Sequence, residues 1–159
     1  MESRGIELRN HVLRLLEERG VTLRDMAEIV YDAQIKYNEN LTIDFCEEVI
    51  LSILCKTEIQ NGIILGIEID KLHEKGLIED KYLNDMIKRD AGIFGLDEII
   101  GLNLTYCYGT IAITNFGYLD KVKPKIIGKL DNSKNQTNVF LDDLICGICA
   151  SACGKLAHN

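Results

Sequence analysis

The chain has 159 residues and a net charge of −7, from 25 acidic and 18 basic side chains, and 47% of its residues are hydrophobic. This length and composition fit one globular domain with a substantial core. Lysines and arginines are scattered among the acids, so the clustered basic face that nucleic-acid binding requires is absent and no nucleic-acid partner is expected.

The sequence also bears on location. The first residues run directly into a charged helical pattern, which predicts that there is no signal peptide. Spanning a bilayer takes about 20 predominantly apolar residues, and the two most apolar stretches, 93–113 and 139–153, are each interrupted by an acidic pair. We therefore expect a soluble, cytoplasmic protein without a transmembrane segment, whose six cysteines are reduced.

In the first half of the chain, apolar residues recur at helical spacing. The predicted helices are 6–19, which ends at Gly20, then 23–37, 43–55 and 57–75, which ends at Gly76. Thr22 and Thr42 stand at N-cap positions, and Thr57 with Gln60 has the spacing of a capping box. Gly62 and Gly66, one turn apart, predict a face that another helix approaches closely.

The second half opens with a short predicted helix, 81–89, after Asp80. Residues 96–115 are apolar on nearly every side, which is typical of a helix at the centre of a domain; their β-branched and aromatic content leaves a buried strand as the alternative. A helix over 118–130, bent at Pro124, and a last helix over 138–156, capped by Thr137 or Asn138, complete the prediction. We expect an all-α single domain over 1–159, with six to eight helices and one central apolar helix.

Two acidic pairs, Asp97-Glu98 and Asp142-Asp143, lie inside apolar sequence. Adjacent helix residues point about 100° apart, so a buried helix cannot expose both carboxylates. An unpaired buried carboxylate costs several kcal/mol and must be protonated, paired or bound to a cation. Carboxylates suit Mg²⁺, with Ca²⁺ and Mn²⁺ as alternatives. The other interpretation is that each pair only caps the first turn of its helix.

Two further sequence patterns each have a functional and a structural interpretation. Asp120 could be a metal ligand or a base, and Lys123, beside Pro124, could hold a phosphate oxygen. The alternative is an exposed i,i+3 ion pair between them. Cys146, Cys149 and Cys153 have the spacing of a short cluster-binding run. The same spacing defines one face of a helix, which favours buried packing residues.

These acidic segments, in this order, resemble the phosphatidylglycerophosphatase A family. The matching stretches are Leu96-Asp97-Glu98-Ile99-Ile100-Gly101, Leu119-Asp120-x-x-Lys123-Pro124 and Phe140-Leu141-Asp142-Asp143-Leu144-x-x-Gly147. The resemblance implies a helical fold and Mg²⁺-dependent removal of phosphate from phosphatidylglycerophosphate. The metal ligands it implies are Asp97, Glu98, Asp142 and Asp143. The catalytic residues it implies are Asp97, Asp120, Lys123 and Asp143.

The chain departs from membrane-bound members of that family, which carry spanning segments and a Gly/Pro/Ser-rich motif near the N-terminus. Residues 56–62 take the approximate place of that motif, where Glu58 and Asn61 share a helix face and are candidate accessory residues, or only the polar start of a helix. The expected substrate is a phosphorylated glycerol-containing lipid or small molecule, reached by peripheral membrane contact. A homo-oligomer would cover remaining apolar surface. The alternative function is a non-catalytic metal-binding or regulatory module.

Overall fold

Nine α-helices follow one another along residues 2–92 and 94–158, the part of the chain that the computed structural model describes. They are α1 (Glu2–Glu18), α2 (Leu23–Gln34), α3 (Ile43–Ile53), α4 (Thr57–Glu74), α5 (Lys81–Arg89), α6 (Leu96–Asn103), α7 (Gly109–Val122), α8 (Ile126–Asp131) and α9 (Leu141–Ala157). Short 3₁₀ turns lie at Ile35–Tyr37 and Tyr106–Tyr108. The all-α prediction is confirmed: eight helices have eight residues or more, and α8 is a short addition of six.

Several helices begin where the sequence predicts. The hydroxyl of Thr22 accepts a hydrogen bond from the Asp25 N–H, and the Asp25 carboxylate accepts one from the Thr22 N–H, which completes a capping box. Thr42 and Asp80 cap α3 and α5 with a single hydrogen bond each, in which the side chain accepts from the N–H of Phe45 and of Leu83.

The predicted capping box of α4 is wrong, because its N-cap is Lys56, which makes no side-chain cap. The buried Gln60 amide instead donates to the carbonyl oxygens of Leu54 (2.7 Å) and Gly5 (3.0 Å). Gln60 therefore joins the start of α4 to α1 and to the end of α3.

The central helix is α9, in which fourteen of seventeen residues are buried. It packs against α2, α3, α4, α6, α7 and α8. The prediction that 96–115 is the central helix is wrong, because this segment divides into α6, a 3₁₀ turn and the start of α7. Helix α6 ends at Asn103, and α7 begins at Gly109, whose φ of +75° lies outside the α-helical region and prevents a continuous helix through this point. The predicted bend at Pro124 is likewise a full break between α7 and α8.

Glycines allow neighbouring helix backbones to approach α9 closely. A Cβ built on Gly101 of α6 would lie 2.5 Å from the carbonyl oxygen of Asp143, and one built on Gly147 would overlap the carbonyl oxygen of Gly101. On α4, a Cβ at Gly66 would lie 2.7 Å from the Leu144 side chain, which confirms the predicted role of this glycine face. The pairing of Gly101 with Gly147 sets the distance between α6 and α9.

The N-terminus of α9 is held by a residue of another helix. The predicted caps at Thr137 and Asn138 are wrong, because the helix begins after Phe140. The fully buried Asp70 of α4 instead accepts hydrogen bonds from the N–H groups of Phe140 (3.2 Å) and Leu141 (3.0 Å). An anionic acceptor at a helix N-terminus satisfies donors that have no partner within the helix. Burial raises the pKa of Asp70 to about 7, although these two donors lower it.

Asp70→Ala is expected to lower the free energy of unfolding by about 3 kcal/mol, because it leaves two buried N–H groups without acceptors. Asp70→Asn retains one acceptor oxygen and should cost less. Urea denaturation of both variants measures the difference. Equal stability of the alanine variant and the parent would show that the N–H groups find other partners.

Within the described residues, no single helix is long and apolar enough to cross a membrane. Only α3 and α4 taken together meet such a test, and they meet at an angle of 91°. All six cysteines are free thiols, as the sequence predicts.

Candidate metal centre

The two acidic pairs meet where α6 crosses α9. Asp97 precedes Gly101 by one turn on α6, and Asp143 precedes Gly147 by one turn on α9, so the close glycine contact brings these carboxylates together. Asp97, Glu98 and Asp143 each offer one carboxylate oxygen, and these three oxygens lie within 4.8 Å of one another. Asp97 and Asp143 are only 5% and 3% exposed. We call these three residues the carboxylate triad.

Each residue of the triad has a buried oxygen without a hydrogen-bond partner among the described residues. These oxygens are Asp97 Oδ1, Glu98 Oε2 and Asp143 Oδ1. Buried polar atoms in native proteins nearly always have a partner, and an unpaired buried carboxylate is costly. Three converging carboxylates that each have an unpartnered buried oxygen fit a hard divalent cation such as Mg²⁺, which prefers oxygen ligands.

The electrostatics of the triad agree with this fit. Burial and the neighbouring Glu98 carboxylate raise the pKa of Asp97 to about 8. Burial, with the charges of Asp142, Asp120 and Asp97, raises the pKa of Asp143 to about 10. Asp97 and Asp143 therefore hold protons near neutral pH when no cation is present, and a divalent ion would displace those protons.

Lys123 lies between three further carboxylates. Its ammonium nitrogen is 2.8 Å from Asp142 Oδ2 and 3.3 Å from Asp120 Oδ1 and Asp131 Oδ1. Burial lowers the pKa of Lys123, but the hydrogen bond and charge of Asp142 and the charges of Asp131 and Asp120 raise it overall. Asp142 thus has a lysine partner and lies outside the triad, so its role as a metal ligand stays a prediction.

The backbone that presents Lys123 is strained. Lys123 ends α7 in the left-handed region, at φ 48°, directly before Pro124. A Cβ on Gly128 would lie 2.6 Å from the Lys123 carbonyl oxygen, so the glycine permits the turn into α8. Strained residues of this kind persist where the surrounding structure holds them, and here the turn holds Lys123 against Asp142.

Lys123→Met is expected to lower the free energy of unfolding by roughly 2 kcal/mol, because it leaves the buried Asp142 without its cation. Adding Asp142→Asn should recover part of that loss. A double-mutant cycle by urea denaturation measures the coupling. Additive effects of the two substitutions would contradict a direct ion pair.

The sequence of the chain matches the model of the family described as Phosphatidylglycerophosphatase A over residues 23–158. The chain belongs to the phosphatidylglycerophosphatase A family. It is 41% identical over 145 residues to the uncharacterized protein YutG of Bacillus subtilis, covering 91% of this chain and 87% of YutG.

Solved structures agree with this family assignment. A protein of unknown function from Bacillus stearothermophilus superposes with a TM-score of 0.90 at 44% identity, covering 95% of this chain and 98% of that one. The low temperature requirement C protein from Listeria monocytogenes superposes with a TM-score of 0.90 at 40% identity, covering 95% of both chains. The helical fold is therefore shared with relatives of similar length.

Other candidate residues of this phosphatidylglycerophosphatase A family member lie apart from the triad. Glu58 and Asn61 are exposed in the first turn of α4, in neither group of residues that could hold a metal, and their accessory role stays a prediction. Cys149 and Cys153 are fully buried in the core, which confirms the packing interpretation for them.

Sequence reasoning missed three residues near the site. Cys146 lies three residues after Asp143 on one helix face, a spacing that could have revealed it. Asp131, the last residue of α8, lies outside the three acidic segments, and its contact with Lys123 depends on the turn into α8. Asp70 reaches α9 only through the tertiary fold, so no local pattern indicates its role.

Proposed function

We propose that this chain is a divalent-metal-dependent phosphatase that hydrolyses the phosphomonoester of phosphatidylglycerophosphate or a related glycerophosphate. The observation that carries the proposal is that the triad brings three carboxylates within 4.8 Å of one another, and that each also has a buried oxygen without a hydrogen-bond partner among the described residues. Family membership supplies the substrate class.

Asp97, Glu98 and Asp143 would hold the metal, for which Mg²⁺ is the expected ion. A bound Mg²⁺ supplies charge that polarises a phosphoryl oxygen and makes water a better nucleophile. Asp120 and Lys123 are 35% and 30% exposed, so solvent and substrate can reach both. The Lys123 ammonium would bind phosphoryl oxygens, and Asp120 would accept a proton from water or orient it.

A polar cavity of about 450 Å³ is lined by Asp131 and Asp142, the carboxylates that contact Lys123, and by Lys88 and Lys134. The triad, Asp120 and Lys123 are not among its lining residues. Hydrogen-bonding and charged groups suit a glycerol phosphate headgroup better than an acyl chain, so the polar lining supports a glycerophosphate substrate.

The test is phosphate release from phosphatidylglycerophosphate in detergent micelles, with glycerol 3-phosphate as the water-soluble comparison. We expect release that requires Mg²⁺ and stops when a chelator is added. Release from the lipid alone would assign a lipid substrate, and release from both would assign the glycerophosphate group.

Absence of release from either substrate, with Mg²⁺, Mn²⁺ or Ca²⁺, would contradict the proposal. A metal-dependent rise in melting temperature without turnover would then favour the non-catalytic metal-binding module, since ligand binding to the native state alone stabilises it.

A further inference from the structure

A second group of potential metal ligands adjoins the triad. Asp120 of α7, together with Asp143 and Cys146 of α9, offers two carboxylate oxygens and one sulfur that lie within 4.8 Å of one another. Asp143 belongs to both groups. It is 3% exposed, and its Oδ1 has no hydrogen-bond partner in the described part of the chain.

The two ligand groups contain four carboxylates, those of Asp97, Glu98, Asp120 and Asp143. The Lys123 ammonium contacts Asp120 at 3.3 Å, and its other carboxylate partners, Asp131 and Asp142, lie outside both groups. One lysine therefore offsets little of the negative charge that the four carboxylates carry when a metal is bound, and burial makes unpaired charge costly.

We propose that Asp120, Asp143 and Cys146 form a second cation position, which shares Asp143 with the triad and binds a borderline-soft divalent metal such as Zn²⁺, Fe²⁺ or Co²⁺. The inference extends the proposed metal centre. Sulfur ligands select such metals over Mg²⁺, whose preferred ligands are oxygens. Neighbouring metal positions that share a ligand recur in phosphatases and nucleases.

The surroundings of the three residues fit this position. Asp120 is partly exposed, so a cation can enter from its side, whereas Cys146 is fully buried. The other two cysteines on the same helix have different neighbours: the Cys149 thiol donates to the Met26 carbonyl oxygen (3.7 Å), and the Cys153 thiol lies beside Gln34. Coordination releases the thiol proton of Cys146 to solvent.

The experiment is a cobalt titration of the full chain after metal removal by a chelator. Cys55 and Cys107, which reach solvent, are first replaced by serine so that only buried thiols are present. We expect a sulfur-to-cobalt charge-transfer absorption in this parent and two bound cobalt ions per chain. Cys146→Ala should abolish the absorption and leave one ion.

Cys149→Ala and Cys153→Ala are matched controls on the same helix face and should retain the absorption. Asp97→Asn should lose the ion of the triad and also retain the absorption. Circular dichroism checks that each variant is folded. If the alanine variant is unstable, Cys146→Ser repeats the test, because serine also lacks the sulfur and should likewise abolish the absorption.

Three results would overturn the second position: no charge-transfer absorption in the parent, absorption that survives Cys146→Ala, or one cobalt ion per parent chain. The readout is separate from turnover. Absorption without phosphatase activity would leave the second position intact while the proposed function fails, and activity without absorption would do the reverse.

Discussion

Replacing Asp97 and Asp143 together by asparagine is expected to abolish Mg²⁺-dependent phosphate release. The amides keep the size of the side chains but remove two of the anionic oxygens that converge in the triad. Loss of outer partners of metal ligands already costs about 10–100-fold in affinity or activity, so the loss here should be at least about 100-fold. Initial rates across a Mg²⁺ titration measure it.

The matched control is Glu48→Gln, which removes a carboxylate from the exposed face of α3. It should retain parental turnover and parental metal dependence. Circular dichroism of the double variant should give the parental helix content. Turnover within a few-fold of the parent in a folded double variant would contradict the assigned role of the triad.

Gly101→Ala is expected to destabilise the protein by roughly 3 kcal/mol and to eliminate metal binding by the triad. The new Cβ would meet the backbone carbonyl of Asp143 at 2.5 Å, and a backbone atom cannot rotate away. Helices α6 and α9 must then separate, which moves Asp97 away from Asp143. Thermal denaturation with and without Mg²⁺ measures both effects.

Gly117→Ala provides the comparison, because a Cβ at this position in α7 meets no atom within 4 Å. Removing a helix-interior glycine there should stabilise the protein by about 1 kcal/mol and leave the Mg²⁺ response unchanged. If Gly101→Ala were as stable as the parent and kept its Mg²⁺-dependent rise in melting temperature, the glycine contact would not set the geometry of the site.

Much of the helical architecture could be predicted from local patterns. Thr22, Thr42 and Asp80 each place a side-chain oxygen before an apolar repeat, and each caps the helix that the repeat predicts. Capping depends on residues within one turn, so sequence alone is sufficient. The same holds for the break at Gly20, where φ is +87°.

The identity of the central helix could not be predicted in this way. Residues 96–115 and the segment of α9 are similarly apolar, but the first is divided: α6 ends at Asn103, a 3₁₀ turn follows, and α7 begins at Gly109, which has a positive φ. In α9 the residues that face neighbouring helices include Gly147 and Gly154, which allow α6 and α7 to pack closely. Hydrophobicity indicates burial but does not indicate which apolar helix contacts the most partners.

The burial of the acidic residues could be predicted from the sequence, whereas their roles stay predictions. Burial of acidic pairs in apolar sequence correctly indicated that Asp97 and Asp143 lack access to water. The different surroundings of the adjacent residues Asp142 and Asp143 could not be predicted, because they depend on the rotation of α9 about its axis. Asp143 points toward α6, whereas Asp142 points toward Lys123. A rotation of about 100° per residue separates these two environments.

The most direct test of the metal centre is anomalous diffraction from crystals of this chain soaked in Mn²⁺. We predict an anomalous peak between α6 and α9, with carboxylate oxygens of Asp97, Glu98 and Asp143 at about 2.0–2.2 Å from it, close to Mg²⁺ ligand distances. The soak uses Mn²⁺ at or above the concentration that supports turnover. Well-ordered carboxylates in the same positions with no peak among them would contradict a metal centre at the triad.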